Sequence, residues 1–98
     1  MDVQDPNALM AWLKENGNRP IPADVMVEYL LIGLRDVFGR ALTQERERVG
    51  LSKRKLAARC NVDSSYIGQL ESGKRLPSLS FLVRLGVELG CDWRALLS

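Results

Sequence analysis

Apolar side chains recur along this chain at helical intervals, in short stretches separated by glycine, proline and amide residues. The first stretch holds Leu9, Met10 and Leu13, with Trp12, between Asp5-Pro6 and Asn16-Gly17. A capping carboxylate, a proline at the first helical position and a glycine past the end predict a short helix there. Asn18-Arg19-Pro20-Ile21-Pro22 reads as a loop, because each proline removes a donor and restricts the residue before it. From Ala23, the run from Asp24 to Leu34 is helical and apolar on most sides, so something is expected to bury it. Gly33 and Gly39 each weaken a helix by ~1 kcal/mol relative to alanine, and Asp36 is able to cap a new start. Two readings stay open at that point, a break near residues 33–36 or one long helix.

The next stretch carries Val37, Phe38, Ala41 and Leu42 and ends near Val49-Gly50. Ser52 offers an N-cap for a helix from Lys53 to Cys60, and Asn61, an amide residue that tolerates the left-handed conformation, predicts a tight turn. Asp63 caps a helix with Tyr66, Ile67 and Leu70 that stops at Ser72-Gly73. Pro77-Ser78 opens an amphipathic helix bearing Leu79, Leu82, Val83, Leu85 and Val87, closed by Gly90, and Asp92 caps a last turn with Trp93, Leu96 and Leu97. No period-2 alternation flanked by hairpin turns occurs, nor any internal repeat, so the chain is read as all-α, with seven short helices if the break is real.

Composition narrows this picture only a little. Ninety-eight residues, 46% hydrophobic and 27% charged, suit one compact unit with a modest core. No apolar run approaches the ~18 residues that span a bilayer, and the acidic start from Met1 to Asp5 lacks the basic flank of a signal peptide, so a cytoplasmic protein without membrane contact is expected. Cys60 and Cys91 lie among apolar residues as small core side chains, and with no histidine neither a metal nor another cofactor is expected. Charge is more informative. Residues 1–34 carry two basic and five acidic side chains, whereas residues 35–98 carry twelve basic and seven acidic, a contrast that fits a polyanion partner for the second part.

That second part also holds a helix, a very short turn and a second helix with polar residues at its start, the unit that places one helix in the major groove of DNA. The unit needs a small residue where the two helices cross, a strain-free turn, and inward apolar residues that fix the angle. Ala57, Asn61, and the trio Val62, Ile67 and Leu70 stand at those offsets. The wider pattern, Phe38-Gly39-Arg40-Ala41-Leu42, Arg46, Gly50-Leu51-Ser52, Leu56-Ala57, Asn61-Val62-Asp63, Ile67, the run Leu70 to Ser78, and Leu89-Gly90, resembles the Cro/C1-type helix-turn-helix regulators. The chain departs from that family in carrying Lys53 for a glutamine, Glu45 for an apolar residue and Asn61 for the turn glycine.

The resemblance implies a repressor-like five-helix DNA-binding domain over residues 36–98, preceded by a helical extension over residues 1–35, and operator binding as a homodimer. It implies a recognition helix from Ser64 to Ser72, with Ser64, Ser65 and Gln69 reaching base edges. Gln69 is the strongest reader, since an amide pairs bidentately with adenine. Gly68 leaves a gap beside these residues. Lys53, Arg54, Lys55, Lys74 and Arg75, at the ends of the two helices, are candidate phosphate contacts, and Tyr66 is a mixed candidate between DNA contact and core. Arg46 and Glu71 resemble a buried ion pair tying the first helix of the domain to the recognition helix.

For residues 1–35 three roles stay open: packing on the domain, a dimer contact, or a contact with another protein, with Trp12, Leu13, Tyr29, Leu30 and Trp93 as candidate anchors. The function expected is therefore a sequence-specific regulator on double-stranded operator DNA, a nucleoid-associated repressor. The alternative is an antitoxin-like or antiactivator subunit in which DNA binding is secondary. An enzyme is not expected, because the chain has no histidine, no glycine-rich phosphate loop and no nucleophile beside a base.

Overall fold

A computed structural model describes residues 6–17, 19 and 22–97, with side chains from Met10 onward. Its elements are α1 (Pro6–Asn16), α2 (Ala23–Arg48), α3 (Lys53–Cys60), α4 (Ser64–Glu71), α5 (Leu79–Leu89) and a closing 3-10 turn (Trp93–Leu97). No strand occurs among the described residues, so the fold is all-α. The Asp5 cap expected for α1, and Asn18, Pro20 and Ile21 of the following loop, lie outside the described residues.

The break near residues 33–36 is absent, and α2 runs unbroken for 26 residues. The Asp36 carboxylate pairs with Arg40 one turn ahead, at 2.9 Å, instead of capping a new helix. Neither Gly33 nor Gly39 takes a positive φ, so neither interrupts the hydrogen-bond ladder. Among the described residues there are six helical segments in place of the seven expected with a break.

In place of one compact unit, the chain divides into two between Leu34 and Arg35. In the first, Asn16 Nδ2 donates to the Trp12 carbonyl at 2.9 Å and closes the end of α1. No apolar side chain of this unit is fully buried among the described residues. Trp12 and Leu13 are half-buried, while Met10, Val27, Tyr29 and Leu30 are exposed.

The second unit holds the core. Phe38 and Leu42 of α2 meet Leu51, then Leu56, Ala57 and Cys60 of α3, Ile67 and Leu70 of α4, Leu82, Leu85 and Leu89 of α5, and Leu96. Burial pushes the thiols of Cys60 and Cys91 upward, and both remain free. Glu45, the departure from an apolar residue, has a structural use. It holds Arg48 Nε at 2.7 Å, and Arg48 Nη2 donates to the Leu89 carbonyl at 3.2 Å, satisfying an orphan acceptor at the C-terminus of α5.

α5 differs from its expected facing. At 3.6 residues per turn, Leu82, Leu85 and Leu89 share one narrow arc and are buried. Leu79, Val83 and Val87 fall on the adjoining stripe and are exposed, at 68%, 41% and 71%. The apolar arc of α5 is thus wider than the core covers.

Candidate nucleic-acid interface

Local side-chain chemistry sets the α3–α4 pair. Ser52 takes extended backbone angles and its Oγ accepts from Lys55 N at 3.1 Å, which starts α3. α3 ends at Asn61, whose φ of 57° and ψ of 46° are left-handed. It is the one non-glycine residue with positive φ among the described residues. The reversal brings Val62 N to the Ala57 carbonyl at 2.9 Å, and Asp63 then caps α4 by accepting from Ser65 N at 2.8 Å. Hydrogen bonds from Ser65, chiefly its backbone N–H, hold the Asp63 carboxyl below its ordinary range. Ala57 is nearly inaccessible, on a helix that packs closely against α4.

The facing of α4 follows from its two core anchors. Ile67 and Leu70 are fully buried, so the opposite edge of the helix points away from the protein. Ser65 and Gln69 are exposed on that edge, and Ser64 is half-buried beside it. No hydrogen bond among the described residues engages the side chains of Ser64 or Gln69. Ser65 is drawn toward the Asp63 carboxylate. The Tyr66 ring is half-buried and packs against Phe81, with centroids 5.3 Å apart and planes tilted by 58°. The helix stops one residue earlier than expected, at Glu71, with Ser72 as its cap.

A polar cluster, largely shielded from solvent, fixes the end of α4. Arg46 Nε donates to Glu71 Oε2 at 2.8 Å and Nη2 to Oε1 at 3.0 Å, while Nη1 donates to the Leu51 carbonyl at 2.9 Å. The side chains of Arg46 and Glu71 are only 12% and 6% exposed. The hydrogen bond with Glu71 raises the Arg46 pKa, so the guanidinium stays charged. Thr43 Oγ1 lies 2.8 Å from Glu71 Oε1 and 2.9 Å from the Gly39 carbonyl, its single proton shared between two acceptors. A Cβ at Gly39 would sit 2.5 Å from the Glu71 carbonyl oxygen, so α2 crosses α4 at glycine distance. Thr43 was not among the residues expected at the site. Its signal is the spacing Gly39, Thr43, Arg46, one face of a helix at i, i+4 and i+7.

The cations divide into two sets. Arg40, Arg46, Arg48, Arg84 and Arg94 each have a carboxylate partner within the chain. Lys53, Arg54 and Lys55 in the first turn of α3, and Lys74 and Arg75 just past α4, are exposed and form no ion pair among the described residues. Arg59, in the last turn of α3, joins this second set and was not anticipated. Trp93 is half-buried against the core, whereas the candidate anchors Tyr29 and Leu30 are open to solvent.

No helix among the described residues is long and apolar enough to cross a membrane. No curated protein matches the chain significantly. Among solved structures, the restriction-modification controller protein C.AhdI from Aeromonas hydrophila is similar at 35% identity and a TM-score of 0.60, over 63% of this chain and 94% of that one. The clp gene regulator ClgR from Corynebacterium glutamicum is similar at 31% identity and a TM-score of 0.63, over 65% and 68% of the two chains. A hypothetical transcription factor, NHTF from Neisseria, is similar at 28% identity and a TM-score of 0.63, over 66% and 75%. Residues 37–97 match the family profile described as a helix-turn-helix domain. With α3, the Asn61 turn and α4 forming the motif itself, the chain belongs to the helix-turn-helix family of DNA-binding transcription regulators.

Proposed function

We propose that this protein is a sequence-specific repressor that binds a palindromic operator as a homodimer and reads it with α4. The observation that carries the reading is the outward edge of α4, whose Gln69 side chain has no partner among the described residues while Glu71, two residues on, is locked to Arg46. A rigidly held helix with free polar side chains is what direct readout requires. Gln69 pairs with an adenine edge, and Ser64 and Ser65 make weaker base contacts, Ser65 in competition with Asp63. Lys53, Arg54, Lys55, Lys74 and Arg75 contact phosphates, and Tyr66 adds its hydroxyl. The regulatory roles of the similar proteins, a controller protein and a gene regulator, support the same reading. Repression follows from occupancy of promoter DNA and needs no further contact.

The homodimer rests on the exposed stripe Leu79, Val83 and Val87 of α5. A two-fold contact pairs one patch with itself, so it must be self-complementary. An apolar stripe satisfies that, and the neighbouring Arg84 and Glu88, 3.4 Å apart, supply both signs of charge for a symmetry mate. The exposed Tyr29 and Leu30 leave the first unit for a protein partner, the feature that favours the interaction-subunit alternative.

Selection of bound duplexes from a random pool, paired with sedimentation of the protein, tests this reading. The expected result is an inverted repeat with half-site centres about one helical turn apart, bound by a dimer that Val83→Glu dissociates. Recovery of no common sequence, or of a single half-site by a monomer, overturns it.

A further inference from the structure

Glycine inside a helix is unfavourable relative to alanine, because it gives up more backbone freedom on folding and packs nothing. A helix-interior glycine therefore calls for a reason. Two glycines of the second unit have one inside the protein. A Cβ at Gly39 would meet the Glu71 carbonyl oxygen at 2.5 Å, and one at Gly86 would meet the Cys91 carbonyl oxygen at 2.9 Å. Gly68 has none. It is the fifth of the eight residues of α4, its φ is not positive, and apart from its chain neighbours and the helix's own backbone no atom of the described residues lies within 4 Å of where its Cβ would sit.

Position supplies the missing reason. Setting Ser64 at zero and turning about 100° per residue, Gly68 falls at about 40°, Ser65 at about 100° and Gln69 at about 140°. The buried Ile67 and Leu70 fall on the far side of the helix. Gly68 is thus inside the arc spanned by Ser64, Ser65 and Gln69, and its bare Cα faces outward with them.

We infer that Gly68 sets how deeply α4 enters the major groove: with no Cβ there, the DNA comes to van der Waals contact with the α4 backbone, which brings Gln69 within reach of its base. Gly68 is a positioning residue for readout and contributes no hydrogen bond of its own. The inference rests on the proposed DNA reading and adds that the glycine answers to the ligand, at a cost to the helix. Gly33 is the comparison, since it lies within α2, also has open space at its Cβ position, and is remote in sequence from α4.

The test uses the full chain and the tightest duplex that the wild-type protein selects from a random pool. Thermal unfolding and DNA affinity are measured for the wild type, Gly68→Ala, Gly68→Leu and Gly33→Ala. Both alanine variants and Gly68→Leu are expected to unfold at higher temperature, by roughly 4–8 °C for the alanines. Gly68→Ala is expected to bind the selected duplex about tenfold more weakly, Gly68→Leu about a hundredfold or more, and Gly33→Ala as the wild type does, in line with an altered base contact. Stabilised Gly68 variants that keep wild-type affinity and sequence preference overturn the inference alone. So do Gly68 variants that are less stable, because the glycine is then required by the protein. A wild type that binds every duplex alike overturns the inference together with the reading beneath it.

Discussion

Arg46 grips Glu71 through two parallel hydrogen bonds of 2.8 and 3.0 Å and, with its third nitrogen, reaches the Leu51 carbonyl at 2.9 Å. One side chain on α2 thereby fixes both the end of α4 and the loop that leads into α3. Because the pair is nearly inaccessible, its removal is asymmetric: deleting one partner strands a charge, while replacing both with apolar residues leaves none.

Glu71→Ala is accordingly expected to cost about 3–5 kcal/mol in urea unfolding, and Arg46→Met a similar amount. The double variant Arg46→Met, Glu71→Leu is expected to recover most of that loss. Single variants within ~1 kcal/mol of the wild type would place the pair in water rather than in the protein.

Gly39→Ala is expected to destabilise the second unit by about 1–3 kcal/mol, because the new methyl meets backbone oxygens of Leu70 and Glu71 that cannot rotate away. Its DNA affinity falls too, since α4 must move. Asn61→Gly is expected to be close to neutral and Asn61→Ala to cost ~1–2 kcal/mol, because only the latter strains the left-handed turn. Equal stability of all three with the wild type, by thermal unfolding, would contradict this geometry.

Acid should loosen two caps. The Arg94 side chain, with help from its backbone N–H, holds the Asp92 carboxyl at about 2 against an ordinary 3.8, and the Ser65 N–H lowers Asp63 as well. Each carboxylate is lower in the folded state, so its stabilisation is fully present above 3.8 and is lost as the pH falls through the folded value, about 2 for Asp92. Urea midpoints are expected to decline across that window, and less steeply in Asp63→Asn and Asp92→Asn. An unchanged slope in both variants would mean that other carboxylates govern acid unfolding.

What the sequence made legible was local. The caps Ser52, Asp63 and Ser78 and the turn residues Asn61 and Gly90 act on backbone groups within a few residues, so the residue types alone announce them. The outward edge of α4 was legible for a related reason, since Ile67 and Leu70 fix its facing by periodicity. Features decided by two competing partners were not. Asp36 is a good cap and also a good i, i+4 partner, and only the continuous helix shows that Arg40 wins. Thr43 and Gly39 take their roles from how α2 crosses α4, and the exposure of Leu79, Val83 and Val87 depends on how much of α5 the core can cover. Neither relation is written in any short stretch of chain.

Titration at two salt concentrations separates base reading by α4 from phosphate holding by the unpaired cations at the helix ends. The duplexes are the DNA upstream of the protein's own gene and a scrambled duplex, and the proteins are the wild type, Gln69→Ala and Arg75→Ala. Gln69→Ala is expected to lose about 1–3 kcal/mol of discrimination between the duplexes, whereas Arg75→Ala is expected to weaken both alike and lower the salt slope by ~0.9. Weak, equal binding of both duplexes by all three proteins would contradict both roles and turn attention to a protein bound by residues 1–35.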